Sequence, residues 1–327
     1  MKRPQNISSI ISKTGPNDPV VNQVLNIIRH YTTNRKAVVA FSGGMDSTLA
    51  LLLTKEVIPD ITAVHIDWGE FTYPEIRKRI KDITQRFGIK LHVIYREESL
   101  RNLATRGISC NVCSRKIKLA TIEKYYPDTV IITGANQSDS WGKGGIYFNP
   151  PFLAPLKDLN KAQEEKILRE RYGINTFHIG VHPEREGCIL RHLWTPDRHG
   201  DKIALTCKAN KELLQYLSIN NIHHVMANVK VIGNSKYTKL IINVVPYIAV
   251  SHKSAIEKLL GSKDISIIWG DTLSELTVVV NPSLYNLQGQ ESVKAIILSE
   301  LAHKEVTIKF IRSKNDFIRL FQVVDAR

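Results

Sequence analysis

Two groups of residues in this sequence are suited to chemistry. The first is the string Ser42-Gly43-Gly44-Met45-Asp46-Ser47, with Thr48 behind it. It follows a short apolar run over 37–41 and opens a helix-forming stretch. Backbone N–H groups at a tight turn entering a helix converge on one point. The helix N-terminus adds unpaired donors and a partial positive charge. Glycines let the backbone approach an anion closely and adopt positive φ. Ser42, Ser47 and Thr48 add hydroxyl donors. The chemistry is that of a phosphate cradle. Asp46, an anion inside it, makes sense as a magnesium ligand or as a helix cap. The Gly-Lys-Ser/Thr ending of a Walker loop is absent.

The second group is the cysteines, of which there are four: Cys110, Cys113, Cys188 and Cys207. Cys110-Asn111-Val112-Cys113 has a spacing at which two thiolates share one metal or cluster. Cys188 supplies a third thiolate, and three can hold a 4Fe–4S cluster with one iron open. Zinc is the alternative, with Cys188 and one of His178, His182 or His192 completing the set. A redox dithiol, a persulfide-carrying pair and inert buried thiols remain open beside these. Cys207 is expected to be a buried spare thiol, and stands as the substitute third ligand.

The elements that must hold these groups follow from hydrophobic periodicity. Helices are expected over 20–31, 46–55, 74–87, 115–125 and 161–172, and strands over 36–41, 61–67, 90–95 and 129–133. The Cys110–Cys113 pair falls on a loop before the third of the helices that follow a strand. Strands alternating with helices give parallel β-α-β units, and so an α/β doubly wound parallel sheet. Residues 138–155 are expected to form a loop and 177–200 irregular structure. After about 207 the pattern becomes β-rich, with strands near 225–232, 239–245, 265–269, 277–280 and 306–311. Helices are expected near 254–260, 292–303 and 315–321. The domains expected are thus 1–206, with an N-terminal helix, and a C-terminal α+β domain over 207–327.

The 327 residues carry a net charge of +14, and the sequence pI is about 9.5. Basic residues are spread along the chain rather than gathered in a tail, and such an excess attracts polyanions, nucleic acid first among them. The first 19 residues are polar, without the apolar stretch of a signal peptide. Apolar runs are short and broken by charges, so no membrane span and a cytoplasmic location are expected.

The string over 42–47 resembles the Ser-Gly-Gly-x-Asp-Ser loop of the PP-loop ATP pyrophosphatases, over roughly residues 20–200. That resemblance implies that ATP is cleaved between its α and β phosphates. The loop would hold pyrophosphate, and AMP would pass to a substrate oxygen. It implies a nucleotide site made of Ser42, Gly43, Gly44, Asp46, Ser47, Thr48, Ile66, Asp67, Gly134, Asn136 and Asp139. The segment 110–115 and the string Ile132-Thr133-Gly134-Ala135-Asn136-Gln137-Ser138-Asp139 look like tRNA thiolases, whose cysteines hold a 4Fe–4S cluster. Pro155-Leu156-Lys157-Asp158-Leu159 and Gly187-Cys188-Ile189-Leu190-Arg191 look more like the sulfur transferases that build the lactate racemase nickel cofactor. His192 departs from the pattern of the latter, and so does Ser140-Trp141-Gly142 after Asp139. The resemblance therefore implies a sulfur transferase with Asp46 and Cys188 in catalytic roles and Cys110, Cys113 and Cys188 as metal ligands. Its partners would be ATP with Mg2+, tRNA or a small cofactor precursor, and a sulfur donor that the sequence does not name. A homodimer is compatible with it. An amide- or nitrile-forming ligase with structural zinc is the superfamily's other outcome.

Overall fold

The computed structural model describes residues 18–137, 146–175, 188–234, 236–262, 264–303 and 305–327. The chain divides into two compact units. The first takes Met1–Asp67, Pro74–Arg96 and Ser114–Phe177. The second takes Trp68–Tyr73, Glu97–Cys113 and His178–Arg327.

The first unit is built on a six-stranded sheet in the order β3-β2-β1-β4-β6-β5. These strands are β1 (Ala37–Ala40), β2 (Thr62–Asp67), β3 (Lys90–Tyr95), β4 (Val130–Ile132), β5 (Phe148–Asn149) and β6 (Phe152–Leu153). All pairings are parallel except β5 with β6. Val38 and Val39 of β1 and Ile131 and Ile132 of β4 are buried, as a central parallel strand covered on both faces requires. Helix α1 (Pro19–Thr32) starts at Asp18, whose side chain accepts from the Val20 and Val21 amides, and buries Val21, Val24, Leu25 and Ile28. Helix α2 (Met45–Val57) is buried along its whole length from Leu49 to Leu53. Helix α3 (Pro74–Arg86) buries only Ile76, Ile80, Ile83 and Thr84, the stripe of an amphipathic surface helix. The sheet confirms the expected α/β class. The stretch 138–155, expected as a loop, contains the β5–β6 hairpin among its described residues.

The second unit contains two three-stranded sheets. One runs β7 (Met226–Gly233), β8 (Thr238–Val245), β9 (Ile265–Trp269), and the other β11 (Thr307–Arg312), β10 (Glu275–Val280), β12 (Phe321–Ala326). The short segment Leu193–Thr195 joins them. Leu193 pairs with Val231, the Trp194 amide donates to Val231 O at 2.9 Å, and the Val323 amide donates to Trp194 O at 2.9 Å. Trp194, Ile232, Ile241, Leu276, Val278 and Val323 share one core across that seam. One expectation is corrected here. Residues 315–321, expected to be helical, form bends leading into β12. A 19-residue helix, α4 (Asp201–Ile219), spans a stretch in which the sequence predicts no element. Its inward face includes Thr206 and Asn210. These polar residues interrupt the apolar period, yet Asn210 is satisfied by bonds with Val229 O and Val229 N at 2.9 Å each.

Candidate functional site

The chain runs from β1 out to β2 and β3 on one side, then returns to β4 on the other. The order of strands reverses between β1 and β4, which is where open α/β sheets bind ligands, beyond the carboxyl ends of the strands. The loop Ser42–Gly44 follows β1 at this point and Gly134–Asn136 follows β4. Gly43 takes φ +76°, which permits the sharp turn. Gly44 is the cap residue of α2 and offers no side chain to its first amides. The first-turn N–H groups of α2 are thus left without partners inside the helix.

The hydroxyls brace the loop. Ser42 N donates to Ser47 Oγ at 3.2 Å, and the Ser42 and Ser47 hydroxyls lie 3.0 Å apart. Thr48 Oγ1 donates to Gly44 O at 2.7 Å. Gly134 has a structural requirement of its own. A Cβ there would sit 2.6 Å from Asp46 C and Ser47 N, so only glycine lets the end of β4 pass over the start of α2.

Asp46 stands in the first turn of α2 and does not cap it. Its Oδ1 lies 2.6 Å from Lys161 Nζ, on helix α5 (Lys161–Tyr172). Glu164, one turn further along α5, is fully buried, and Asn136 Nδ2 donates to its Oε1 at 3.0 Å. Glu164 Oε2 receives no N–H, its neighbours being the Asp46 carboxylate and Lys161 Nζ, the latter 3.8 Å away. Burial first, then the Asp46 carboxylate, pushes the Glu164 carboxyl up to about 9. Glu164 is therefore a neutral acid at pH 7, with a proton to share with Asp46. The sequence gives no local sign of either Lys161 or Glu164. An i,i+3 Lys–Glu pair on a helix normally marks a solvated face.

Asp67, at the end of β2, is held by Arg77 in a two-pronged ion pair, Nε to Oδ2 at 2.7 Å and Nη2 to Oδ1 at 2.8 Å. Ile66 beside it is buried. His65 fills the core as expected, with Nδ1 bonded to Phe41 O at 3.0 Å, while its buried Nε2 has no hydrogen-bond partner. Burial lowers its pKa and keeps it neutral. Trp68 and Tyr73 are buried packing residues. Lys157 is buried too, bonded to Asp158 at 3.0 Å and lying over the Tyr147 ring. Asp139, Trp141, Lys143, His178 and His182 lie outside the described residues.

The second unit contains Cys110, Cys113 and Cys188. The first two lie on a helix rather than the expected loop. Ser109 caps a turn Cys110–Val112, which continues through a π-helical stretch Cys113–Leu119 into Ala120–Tyr125. Three residues apart on a helix, both thiols share one face. Cys110 is exposed and Cys113 buried. Cys188 is half-buried and starts the 3-10 turn Ile189–His192. The donors are thiols, the class that suits iron–sulfur clusters and zinc. As placed, however, no three His, Cys, Asp or Glu side chains among the described residues form a group able to hold a metal. His192, weighed as a zinc ligand, is buried, and its Nδ1 accepts from Lys230 Nζ at 2.9 Å. Cys207 is a buried helix residue, and burial pushes its thiol up to about 12, so it offers no thiolate near neutral pH.

Residues 36–144 match the family described as the phosphoadenosine phosphosulfate reductase domain. That match, on a sheet with the loop at its switch point, decides the family. Residues 36–144 are a phosphoadenosine phosphosulfate reductase-like domain of the PP-loop superfamily. Its relatives divide by chemistry. The glutamine-hydrolyzing GMP synthase of Streptomyces avermitilis is 31% identical over 99 residues, 30% of this chain and 19% of that protein. A probable tRNA sulfurtransferase of Streptococcus pneumoniae is 27% identical over 183 residues, 51% of this chain and 44% of that one. The chain thus spans less than half the length of either PP-loop relative. The NH3-dependent NAD synthetase of Campylobacter jejuni aligns with a TM-score of 0.38 at 15% identity, covering 46% of this chain and 71% of that chain. Among the described residues, no helix is long and apolar enough to cross a membrane.

Proposed function

We propose that this protein is an ATP-dependent sulfur transferase acting on tRNA. The carrying observation is the PP-loop at the β1–β4 switch point, in a chain whose other unit bears Cys110, Cys113 and Cys188. ATP binds with its β and γ phosphates on the first-turn amides of α2. Lys161 neutralises phosphate charge. Asp46 would be the residue to hold a Mg2+ ion, which would supply charge neutralisation for the pyrophosphate. A carbonyl oxygen of the base attacks the α phosphorus. Pyrophosphate leaves, and the base carbon now carries AMP as a good leaving group. The outer sulfur of a persulfide on Cys110, Cys113 or Cys188 attacks that carbon and AMP leaves. A second of these thiols attacks the inner sulfur, releasing the thiolated base and leaving a disulfide that an external thiol reduces. Arg77 fixes the Asp67 carboxylate beside the nucleotide. The likeness to a probable tRNA sulfurtransferase and the net charge of +14 support tRNA as acceptor.

The test is pyrophosphate release from ATP with and without unmodified tRNA, followed by mass spectrometry of the nucleosides. A gain of about 16 mass units on one nucleoside, as oxygen becomes sulfur, is the expected result. Release that tRNA does not stimulate would refute the acceptor. Iron and acid-labile sulfide in anaerobically prepared protein decide whether a 4Fe–4S cluster or a cysteine persulfide carries the sulfur. A second reading, amide formation on an adenylated substrate, is favoured by the match to a GMP synthase. One equivalent of zinc, no iron and no sulfur in the product would support it. Failed tRNA stimulation with a thiolated small carboxylate as product would instead support assembly of a nickel-type cofactor.

A further inference from the structure

Three segments of the second unit meet near its C-terminal end, and each brings an arginine. Arg106 follows the helix Glu97–Ala104, Arg198 follows the seam segment, and Arg319 precedes β12. The junction is fixed by main-chain bonds. Asp197 N donates to Ala104 O at 3.1 Å, and Arg319 N donates to Arg106 O at 2.8 Å. The Arg106 guanidinium donates to Phe317 O at 2.9 Å and to Asp316 O at 2.8 Å. The Arg198 guanidinium lies over the Phe317 ring, 4.1 Å from its centroid, and that of Arg106 lies 6.0 Å from it.

Among the described residues none of the three arginines has a carboxylate within ion-pair distance. Asp316 meets Arg106 through its main-chain carbonyl, and Asp197 is spent on backbone amides. Its Oδ1 accepts from His199 N at 3.1 Å and Gly200 N at 3.0 Å, and its Oδ2 from Ile203 N at 2.7 Å. Arg319 Nε is buried without any hydrogen-bond partner. Burial, then the charge of Arg106, lowers the Arg319 pKa, so the positive charges repel and are uncompensated. A buried guanidinium N–H left open costs free energy. The ligand this arrangement fits is a strong, multi-oxygen anion, and Arg forks match phosphate. Phe317 adds an aromatic surface of the kind used against nucleic-acid bases.

We propose that Arg106, Arg198 and Arg319, with Phe317, bind the phosphodiester backbone of the RNA acceptor. The assignment rests on the tRNA reading above and names the surface that reading needs. It also explains placement. Arg106 is four residues before Cys110, so their Cα atoms are at most about 14 Å apart. A strand gripped here runs close to the cysteine pair.

The experiment measures unmodified tRNA binding by the full-length protein from about 50 to 300 mM salt. Each phosphate contact contributes about 0.7–0.9 to the slope of log K against log salt. Arg198→Ala and Arg319→Ala should each lower the slope by about that amount and weaken binding on the order of tenfold at 0.1 M salt. Lys208→Ala, an exposed helix lysine, should leave the slope unchanged. Arg106→Lys keeps the charge and separates loss of the fork from loss of charge. Circular dichroism and the thermal midpoint verify folding. If tRNA binds but the variants keep the wild-type slope, the site is wrong and the tRNA reading stands. If the wild type binds no tRNA at 50 mM salt, both fall. If heparin binding is lost in parallel and tRNA is not preferred over it, the cluster is a general anion patch and the RNA assignment is overturned.

Discussion

At the residue scale, the carboxyl pair Asp46–Glu164 controls the most. Glu164 titrates near 9 in the folded protein and near 4.5 once unfolded. Between those values the folded state holds a proton that the unfolded chain has released. Stability therefore falls as pH rises through the window from 4.5 to 9, by up to about 1.4 kcal/mol per pH unit, and levels off above it. Glu164→Gln removes that slope and keeps the geometry. Its carbonyl can accept from Asn136 and its amide can donate to Asp46. Urea unfolding of nucleotide-free protein at pH 6 and pH 8.5 should show the variant more stable than wild type only at the higher pH. Equal slopes would show that Glu164 is already ionised at neutrality. Gly134 offers a second test. Gly134→Ala puts a methyl group 2.6 Å from the Asp46–Ser47 backbone, and should cost about 1–3 kcal/mol and weaken ATP binding at least tenfold. Gly44→Ala meets only Ser42 Oγ at 3.5 Å and should stay within about 1 kcal/mol of wild type. A Gly134→Ala protein with normal stability and ATP affinity would refute the packing argument. The loop was legible in sequence because its function is local: strand, glycine turn and helix start are contiguous. Glu164 and Lys161 were not, because they reach Asp46 only through the packing of α5 on α2.

At the element scale, the same contrast separates the two sheets. Parallel strands with long apolar runs declared β1 to β4. The seam Leu193–Thr195 did not declare itself, since a three-residue link between two sheets has no period to detect. The bends over 315–320 carry scattered apolar residues at helix-like spacing, and β12 wins there by pairing with β10. Next to the seam lies a buried charge cluster. Lys230 meets both His192 and Glu300, and Arg191 Nη2 donates to Glu300 at 2.6 Å. Burial alone would raise the Glu300 carboxyl, but Lys230 and Arg191 outweigh it and hold the group below its ordinary range. Removing one member strands the others. Glu300→Gln should destabilise the second unit by about 3–5 kcal/mol, read as a lower urea midpoint. Loss under about 1 kcal/mol would mean that the cluster is solvated. The turn Ile189–His192 that follows Cys188 is anchored through this network, so the variant also tests whether the third thiol needs it.

At the scale of the whole molecule, the two units carry opposite pH dependences. The first loses stability as pH rises, through Glu164. In the second, burial and the charges of Lys230 and Arg191 hold His192 well below its ordinary 6.5. The unfolded chain then takes up the proton that the folded one refuses, so stability is present above about pH 6.5 and lost as pH falls through that value. Glu300, also depressed, adds to the loss below its ordinary 4.5. The net charge of +14 adds self-repulsion on the acid side for the entire chain. Each unit has its own core, so two unfolding steps are expected, the second unit melting first at pH 5. Nucleotide distinguishes them. The phosphate cradle belongs wholly to the first unit, and a ligand stabilises only the state that binds it. Mg–ATP at about 100 times its Kd should raise the first unit's step by about 2.7 kcal/mol and leave the second unit's step in place. Differential scanning calorimetry at pH 5 and pH 8, with a non-hydrolysable ATP analogue, reads both steps in one trace. A single step moving as a whole with nucleotide would show that the units unfold as one. It would also mean that charge changes around His192 are felt at the ATP loop.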